Sequence, residues 1–242
     1  MNDSNFVINE SDAFVLYIFK YLQENRNIDK LNSSKLQKEI ASTFEAVNRG
    51  KTRSYSYSVI DKMKAAGWIE SAGSSNLQIT IKGKEHRKSL KNDYVDNLLE
   101  LKSKATHFYQ FINHDGKVKH TQLSKNQKKM FSRLMDIRSL TTFLIIHKLS
   151  ENSLMSGTEI LKQINAEHLW QPSNGYFFDI IRELETDRHF VSGEWTNARR
   201  RKYLYGITTE GTEAIHFFAN KSKESLIKLL QYTNFCLDLF IK

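Results

Sequence analysis

One cysteine and one proline stand among 242 residues, and each scarcity closes off a class of explanation. The lone Cys236 excludes an internal disulfide and any metal site built on a cysteine pair. The lone Pro172 leaves the turns to Gly, Asn, Ser and Asp. Ten glycines are too few to build flexible linkers between modules. No apolar run reaches the roughly 18 residues that mark a transmembrane helix. The start, Met1-Asn2-Asp3-Ser4-Asn5, lacks the basic and apolar regions of a signal peptide. These absences together predict a soluble, cytoplasmic protein. Neither GxxxxGK[ST] nor GxGxxG occurs, so no phosphate-cradling loop is expected. His107, His114 and His120 lie near Asp115, but metal sites on helices use closer spacing, and a polar linker face accounts for them. Neither a metal nor a cofactor is expected, and nothing points to an enzyme.

Positive charge is what the chain has in excess. Lys and Arg number 36 against 27 Asp and Glu, a formal net charge of +9. That balance favours association with polyanions, nucleic acid first among them, and says nothing about fold. A composition rich in Leu, Ile, Lys, Glu and Phe favours a mostly helical protein. The length accommodates one large or two small domains.

Residues 138–211 carry the clearest order. Residues 139–149 have the apolar period of a helix, and residues 154–164 that of a second, shorter one. Trp170-Gln171-Pro172 makes a turn, and residues 173–185 supply a third helix. Residues 190–206 then read as two strands around the basic hairpin Asn197-Ala198-Arg199-Arg200-Arg201-Lys202. This succession resembles the PadR-type winged-helix transcriptional regulators. The elements that carry the resemblance are Trp170, Pro172-Ser173, Leu184-Glu185, Arg199 to Lys202, Tyr203 and Tyr205, and Ile207-Thr208-Thr209-Glu210-Gly211. The resemblance implies a winged helix whose third helix and hairpin face duplex DNA. The chain departs from that family in carrying Phe178 where a Tyr is usual, and it adds Asp179 and Glu183 to the same helix. Acids repel phosphate, so contacts are expected from the start of the helix and from the hairpin.

The first half repeats this order. Ile79-Thr80-Ile81-Lys82-Gly83-Lys84-Glu85 parallels Ile207-Thr208-Thr209-Glu210-Gly211-Thr212-Glu213 at an offset of 207 − 79 = 128. Residues 14–22 match the first helix of the later copy, and residues 36–41 match its second. Residues 53–66 followed by Gly67-Trp68-Ile69 match residues 173–187 followed by His189-Phe190-Val191. The expected architecture is therefore mostly α with small β-hairpin wings: tandem winged helix-turn-helix domains joined by a helical linker. Their bounds are placed at 10–88 and 138–212, with a helical and basic linker at 89–137 and a terminal helix at 213–242.

Tyr94, Leu98, Leu101, Ala105, Phe108 and Ile112 give the linker a heptad-like seam. His114-Asp115-Gly116 closes that helix, and residues 117–129 form a basic connector. In the terminal helix, Leu226, Leu230, Leu237 and Phe240 line up as a second seam, expected to form a homodimer interface.

The two copies differ where DNA contact is expected. The first has a short, uncharged hairpin and a basic, hydroxyl- and aromatic-rich helix start: Arg49, Lys51, Arg53, Ser54 and Tyr55, with Ser58 and Lys62 one and two turns on. The second offers Ser173, Asn174 and Tyr176 and the hairpin cations Arg199, Arg200, Arg201 and Lys202. With Ile60 and Met63 facing the core, the helical period turns Ser54, Tyr55, Ser58 and Lys62 outward. The expected function is a dimeric, sequence-specific transcriptional regulator binding double-stranded DNA. Two alternatives stand: a replication or partition initiator of a mobile element, and a tandem winged-helix scaffold that binds proteins.

Overall fold

The computed structural model describes residues 10–24, 33–46, 53–72, 76–114, 122–197 and 201–240. The chain divides into two compact units, Met1–Lys102 with Gln231–Lys242, and Ser103–Leu230. The described residues are mostly helical, with small antiparallel strand pairs. Among them no helix is long and apolar enough to cross a membrane.

The first unit is built from α1 (Glu10–Glu24), α2 (Ser33–Ala46), α3 (Arg53–Ala65), β1 (Ile69–Ala72), β2 (Asn76–Ile79) and the start of α4 (Ile81–His114). α1 is buried almost all round, with Phe14, Leu16, Ile18 and Phe19 inaccessible. α2 contributes Leu36, Ile40 and Phe44, spaced one helical turn apart, and α3 contributes Val59, Ile60 and Met63. Phe14 stacks on Phe44 at 3.9 Å and meets the Tyr55 ring edge-on at 5.2 Å. Each such buried aromatic or aliphatic side chain contributes about 1.5–3 kcal/mol. The hairpin pairs from Ile69↔Ile79 to Ala72↔Asn76. The end of α9 (Thr209–Asp238) closes this unit. Lys20 Nζ donates to the Asp238 carbonyl at 3.1 Å and Arg87 to the Leu239 carbonyl at 3.3 Å, so cations meet carbonyls that a helix end leaves unsatisfied. Cys236 is fully buried here, and burial pushes its thiol up to about 12. It behaves as a small apolar residue.

The second unit carries α5 (Lys125–Leu134), α6 (Ile137–Glu151), β3 (Met155–Ser156), α7 (Gly157–Glu167), α8 (Asn174–Thr186), β4 (Val191–Trp195), β5 (Tyr203–Ile207) and the first part of α9. α6 buries Leu140, Phe143, Leu144, Ile145, Ile146 and Leu149. Ile160 and Ile164 of α7 and Phe177, Ile181 and Leu184 of α8 are buried as well. Trp170 stacks on Phe131 at 5.9 Å and donates its indole N–H to Thr141 Oγ1 at 3.3 Å, which fixes the turn before α8. The sheet order is β3-β5-β4. β3 departs from the expected pair of strands, because a two-residue strand (Met155↔Tyr205, Ser156↔Leu204) has no periodicity to read. Part of the basic connector is also helical. Ser124 and Gln127 form a capping box that starts α5.

The repeated Ile-Thr-x-x-Gly motif has the same geometry twice. Thr80 Oγ1 donates to the Gly67 carbonyl at 2.7 Å and accepts from the Gly83 N–H at 3.0 Å. Thr208 Oγ1 donates to the His189 carbonyl at 2.7 Å and accepts from the Gly211 N–H at 3.0 Å. Gly67 (φ 70°) and His189 (φ 56°) both sit in the left-handed region before the first strand. The boundaries expected at 88/89 and 212/213 fall inside α4 and α9, because these threonines start each helix directly after its hairpin. The seam expected on the terminal helix needs correcting: Leu226, Leu237 and Phe240 are buried and Leu230 is half-buried in the single chain, so they offer no open face. The exposed apolar positions of α9 are Phe217 and Ile227.

A Cβ at Gly83 would collide with the Trp68 carbonyl, and one at Gly211 with the Phe190 carbonyl, whereas Gly175 has nothing near it. We expect Gly83→Ala and Gly211→Ala each to cost about 1–3 kcal/mol or more. Gly175→Ala, in an exposed first helical turn, should be neutral or stabilise by up to about 1 kcal/mol. Urea midpoints of the three variants decide this, and equal effects at all three would refute the close-approach account.

Candidate nucleic-acid interface

α3 presents one face away from its core. Ser54, Tyr57, Ser58, Asp61 and Lys62 are exposed and, with Ala65, line a shallow depression. Ser56, Val59, Ile60 and Met63 occupy the opposite side. One of the expected outward positions differs. Tyr55 is half-buried against Phe14, whereas Tyr57 stands 41% exposed. The reason is periodicity: Tyr55 lies four residues before Val59 and shares its buried side. Ser54, Ser58 and Lys62 are outward as expected. Arg53 opens α3, and Arg49 and Lys51 lie outside the described residues.

On the second unit, Ser173 caps α8, its hydroxyl accepting from the Tyr176 N–H at 3.5 Å. Asn174 and Gly175 are exposed in the first turn, and Tyr176 is half-buried. Burial raises the Tyr176 phenol above the ordinary tyrosine value. Phe178 lies against Gly157, where a Cβ would collide with its ring. Glu183 is held between Arg138 and Arg188, the second at 2.9 Å, so its charge is matched on the protein. Asp179 remains exposed, as does Arg182 one turn away.

The hairpin is closed by a reciprocal pair: Thr196 N–H donates to the Lys202 carbonyl at 2.9 Å, and Lys202 N–H to Thr196 Oγ1 at 3.0 Å. Arg201 and Lys202 are exposed, and Arg199 and Arg200 lie outside the described residues. Lys202 Nζ is 3.6 Å from Glu159. Exposed pairs of this kind are worth at most about 1 kcal/mol, so the ammonium can turn to another anion. Trp195 is 63% exposed and meets its cross-strand partner Tyr203 edge-on at 5.1 Å. The Tyr203 hydroxyl donates to Glu185, which ties the hairpin to the end of α8.

Tyr57 and Trp195 are therefore the aromatics available at the two surfaces. The charge pairs Arg138–Glu183 and Lys202–Glu159 join residues 45 and 43 positions apart, and no local pattern announces them. The capping box Ser156–Glu159, by contrast, is legible as Ser-x-x-Glu. Among the described residues, no three metal-ligating side chains come together.

No family model matches the chain, and no curated protein matches it. Among solved structures it is similar to the crystal structure of the circadian clock associated protein Pex from Anabaena. The identity is 21% over 52% of this chain and 91% of that one, with a TM-score of 0.28. Agreement at that level carries no inference about this chain.

The hydrogen bond to Glu185 pushes the Tyr203 phenol up to about 12. Because the folded value exceeds the unfolded one, the bond's contribution is complete below the unfolded tyrosine value of about 10. It is lost as pH rises through about 12. Ultraviolet titration should show Tyr203 among the tyrosines still protonated above the ordinary range, and Glu185→Gln should return one tyrosine toward that range. An unchanged titration curve in the variant would exclude the bond.

Proposed function

We propose that the chain is a sequence-specific transcriptional regulator that binds double-stranded DNA through two winged helices. The tandem reading is supported by the recurring order of three helices, a hairpin and a threonine-started helix in each unit. The observation that carries the DNA reading is the face of α3. It sets Ser54, Tyr57, Ser58, Asp61 and Lys62 outward on a helix whose other side is core. Hydroxyl, phenol and ammonium groups at that spacing suit a groove, where side chains reach base edges and phosphates. The net charge of +9 supplies the general attraction.

The two units divide the work. α3 supplies discrimination, because its exposed side chains can enter a groove. The hairpin Arg199, Arg200, Arg201 and Lys202 supplies affinity by neutralising phosphates. Glu183 does not oppose this, since Arg138 and Arg188 balance it. A dimer fits the two-fold symmetry of most operators, though its interface does not lie on the buried seam of α9.

Genome-wide recovery of bound fragments, followed by footprinting, tests the reading: discrete promoter sites support it. Clustered repeats at an origin would favour an initiator, and no enrichment would favour a protein scaffold. With a preferred site in hand, Tyr57→Ala or Lys62→Ala should weaken it relative to random duplex by about 1–3 kcal/mol. Replacing Arg199, Arg200 and Arg201 by Ala should weaken both duplexes alike. It should also lower the slope of log affinity against log salt by ~0.9 for each phosphate no longer neutralised. If the hairpin variant loses discrimination and the α3 variants keep it, the roles are reversed.

A further inference from the structure

A cavity of about 320 Å³ opens in the first unit. Four of its lining residues are cations on one face of α4: Lys84, Arg87, Lys88 and Lys91. Positions i, i+3, i+4 and i+7 lie in one stripe on a helix. Like charges at that spacing repel and weaken the helix that carries them, so folding alone gives no reason to gather them. Ile79 and Phe240 supply apolar wall, and Gln23 accepts from Arg87.

The cations are held in two ways. Arg87 is half-buried and fixed by its bonds to Gln23 and to the Leu239 carbonyl. Lys84, Lys88 and Lys91 are exposed, on flexible stems that can converge on an anion. Glu24 is the carboxylate that favours the Arg87 charge. Four cations on one face of α4 suit a dianion. The wall residue Ile79 pairs with Ile69 at the end of the hairpin opposite Ala72 and Asn76. None of the residues on the exposed face of α3 lines the cavity.

We propose that this cavity binds a small phosphate ester, its dianionic head among Lys84, Arg87, Lys88 and Lys91 and its apolar or flat body against Ile79 and Phe240. Arginine and lysine together match phosphate, the first as a directed fork and the second as point charges. The volume lies at the low end of the ~300–1,000 Å³ typical of ligand pockets, which suits a body of one ring or a short chain. The lining shares no residue with the exposed face of α3, and the ligand acts as an effector on this proposal.

Calorimetric titration of the full chain with phenyl phosphate, inorganic phosphate and phenol tests this. Phenyl phosphate should bind saturably at one site per chain, at least about tenfold tighter than either fragment. The surface variant K84Q/K88Q/K91Q should lose at least about tenfold in that affinity, with its thermal midpoint unchanged and duplex binding kept. Absence of saturable binding overturns the proposal, as does equal binding by the variant. So does inorganic phosphate binding as tightly as the ester, which would mean a bare cation patch. A parallel loss of duplex affinity in the variant would assign the lysines to a nucleic-acid surface and also overturn it. The titrations with small ligands read the same whether or not the chain binds duplex, so failure of the DNA reading is distinguishable.

Discussion

Each hairpin is joined to the helix after it by one threonine hydroxyl that works in both directions. Thr80 and Thr208 each donate to the carbonyl of the left-handed residue before the first strand and accept from the N–H three positions on. The backbone adds a second tie, from Thr80 N–H to the Trp68 carbonyl and from Thr208 N–H to the Phe190 carbonyl, both at 3.1 Å. This junction closes the open end of the hairpin and starts the long helix in a fixed direction. The glycine one turn later is required because helix backbone passes against that same carbonyl. Strand pairing, the start of α4 and α9, and the packing of Trp68 and Phe190 all follow from it. Trp68 accordingly stacks on His86, in the second turn of α4, at 3.7 Å.

A second constraint is the allocation of positive charge. Several cations are committed to the fold. Lys104 is buried and donates to the Gln122 carbonyl at 2.7 Å and to Gln127 at 3.2 Å. Burial by itself would push the Lys148 ammonium down, but its hydrogen bonds to Glu151 and Glu167 prevail and hold it above the usual lysine value. Arg138 and Arg188 flank Glu183. Ion pairs of this kind cancel within the net charge, so what a partner meets depends on where the remaining cations lie. Among the cations that face solvent are Lys62 on α3, Arg201 and Lys202 on the hairpin, and Lys84, Lys88 and Lys91 on α4. Charge acts on a partner through such clusters, since exposed charges more than a Debye length apart are screened from one another.

The helical periods, the third-helix and hairpin order and the internal repeat were legible because they are local. An apolar residue every three or four positions, a Ser-x-x-Glu cap and a repeated Ile-Thr-x-x-Gly each act within one or two turns of chain. β3 escaped because two residues hold no period, and its pairing partners Leu204 and Tyr205 are far along the chain. The partial burial of Tyr55 has a related cause. The breadth of a buried helical face depends on what lies opposite, and here Phe14 reaches far enough to cover Tyr55.

Sequence by itself determined the helical character, the order of elements in both halves, the position of the threonine junctions and the excess of positive charge. These depend on residues near one another, whose interactions survive any tertiary arrangement. Only the tertiary structure decided which outward groups remain free. It matched Glu183 with Arg138 and Arg188, set Lys202 beside Glu159, buried Leu226, Leu237 and Phe240, and gathered four cations of α4 around a cavity. Exposure and charge pairing are properties of surfaces brought together across long stretches of chain, and no local pattern encodes which surfaces will meet.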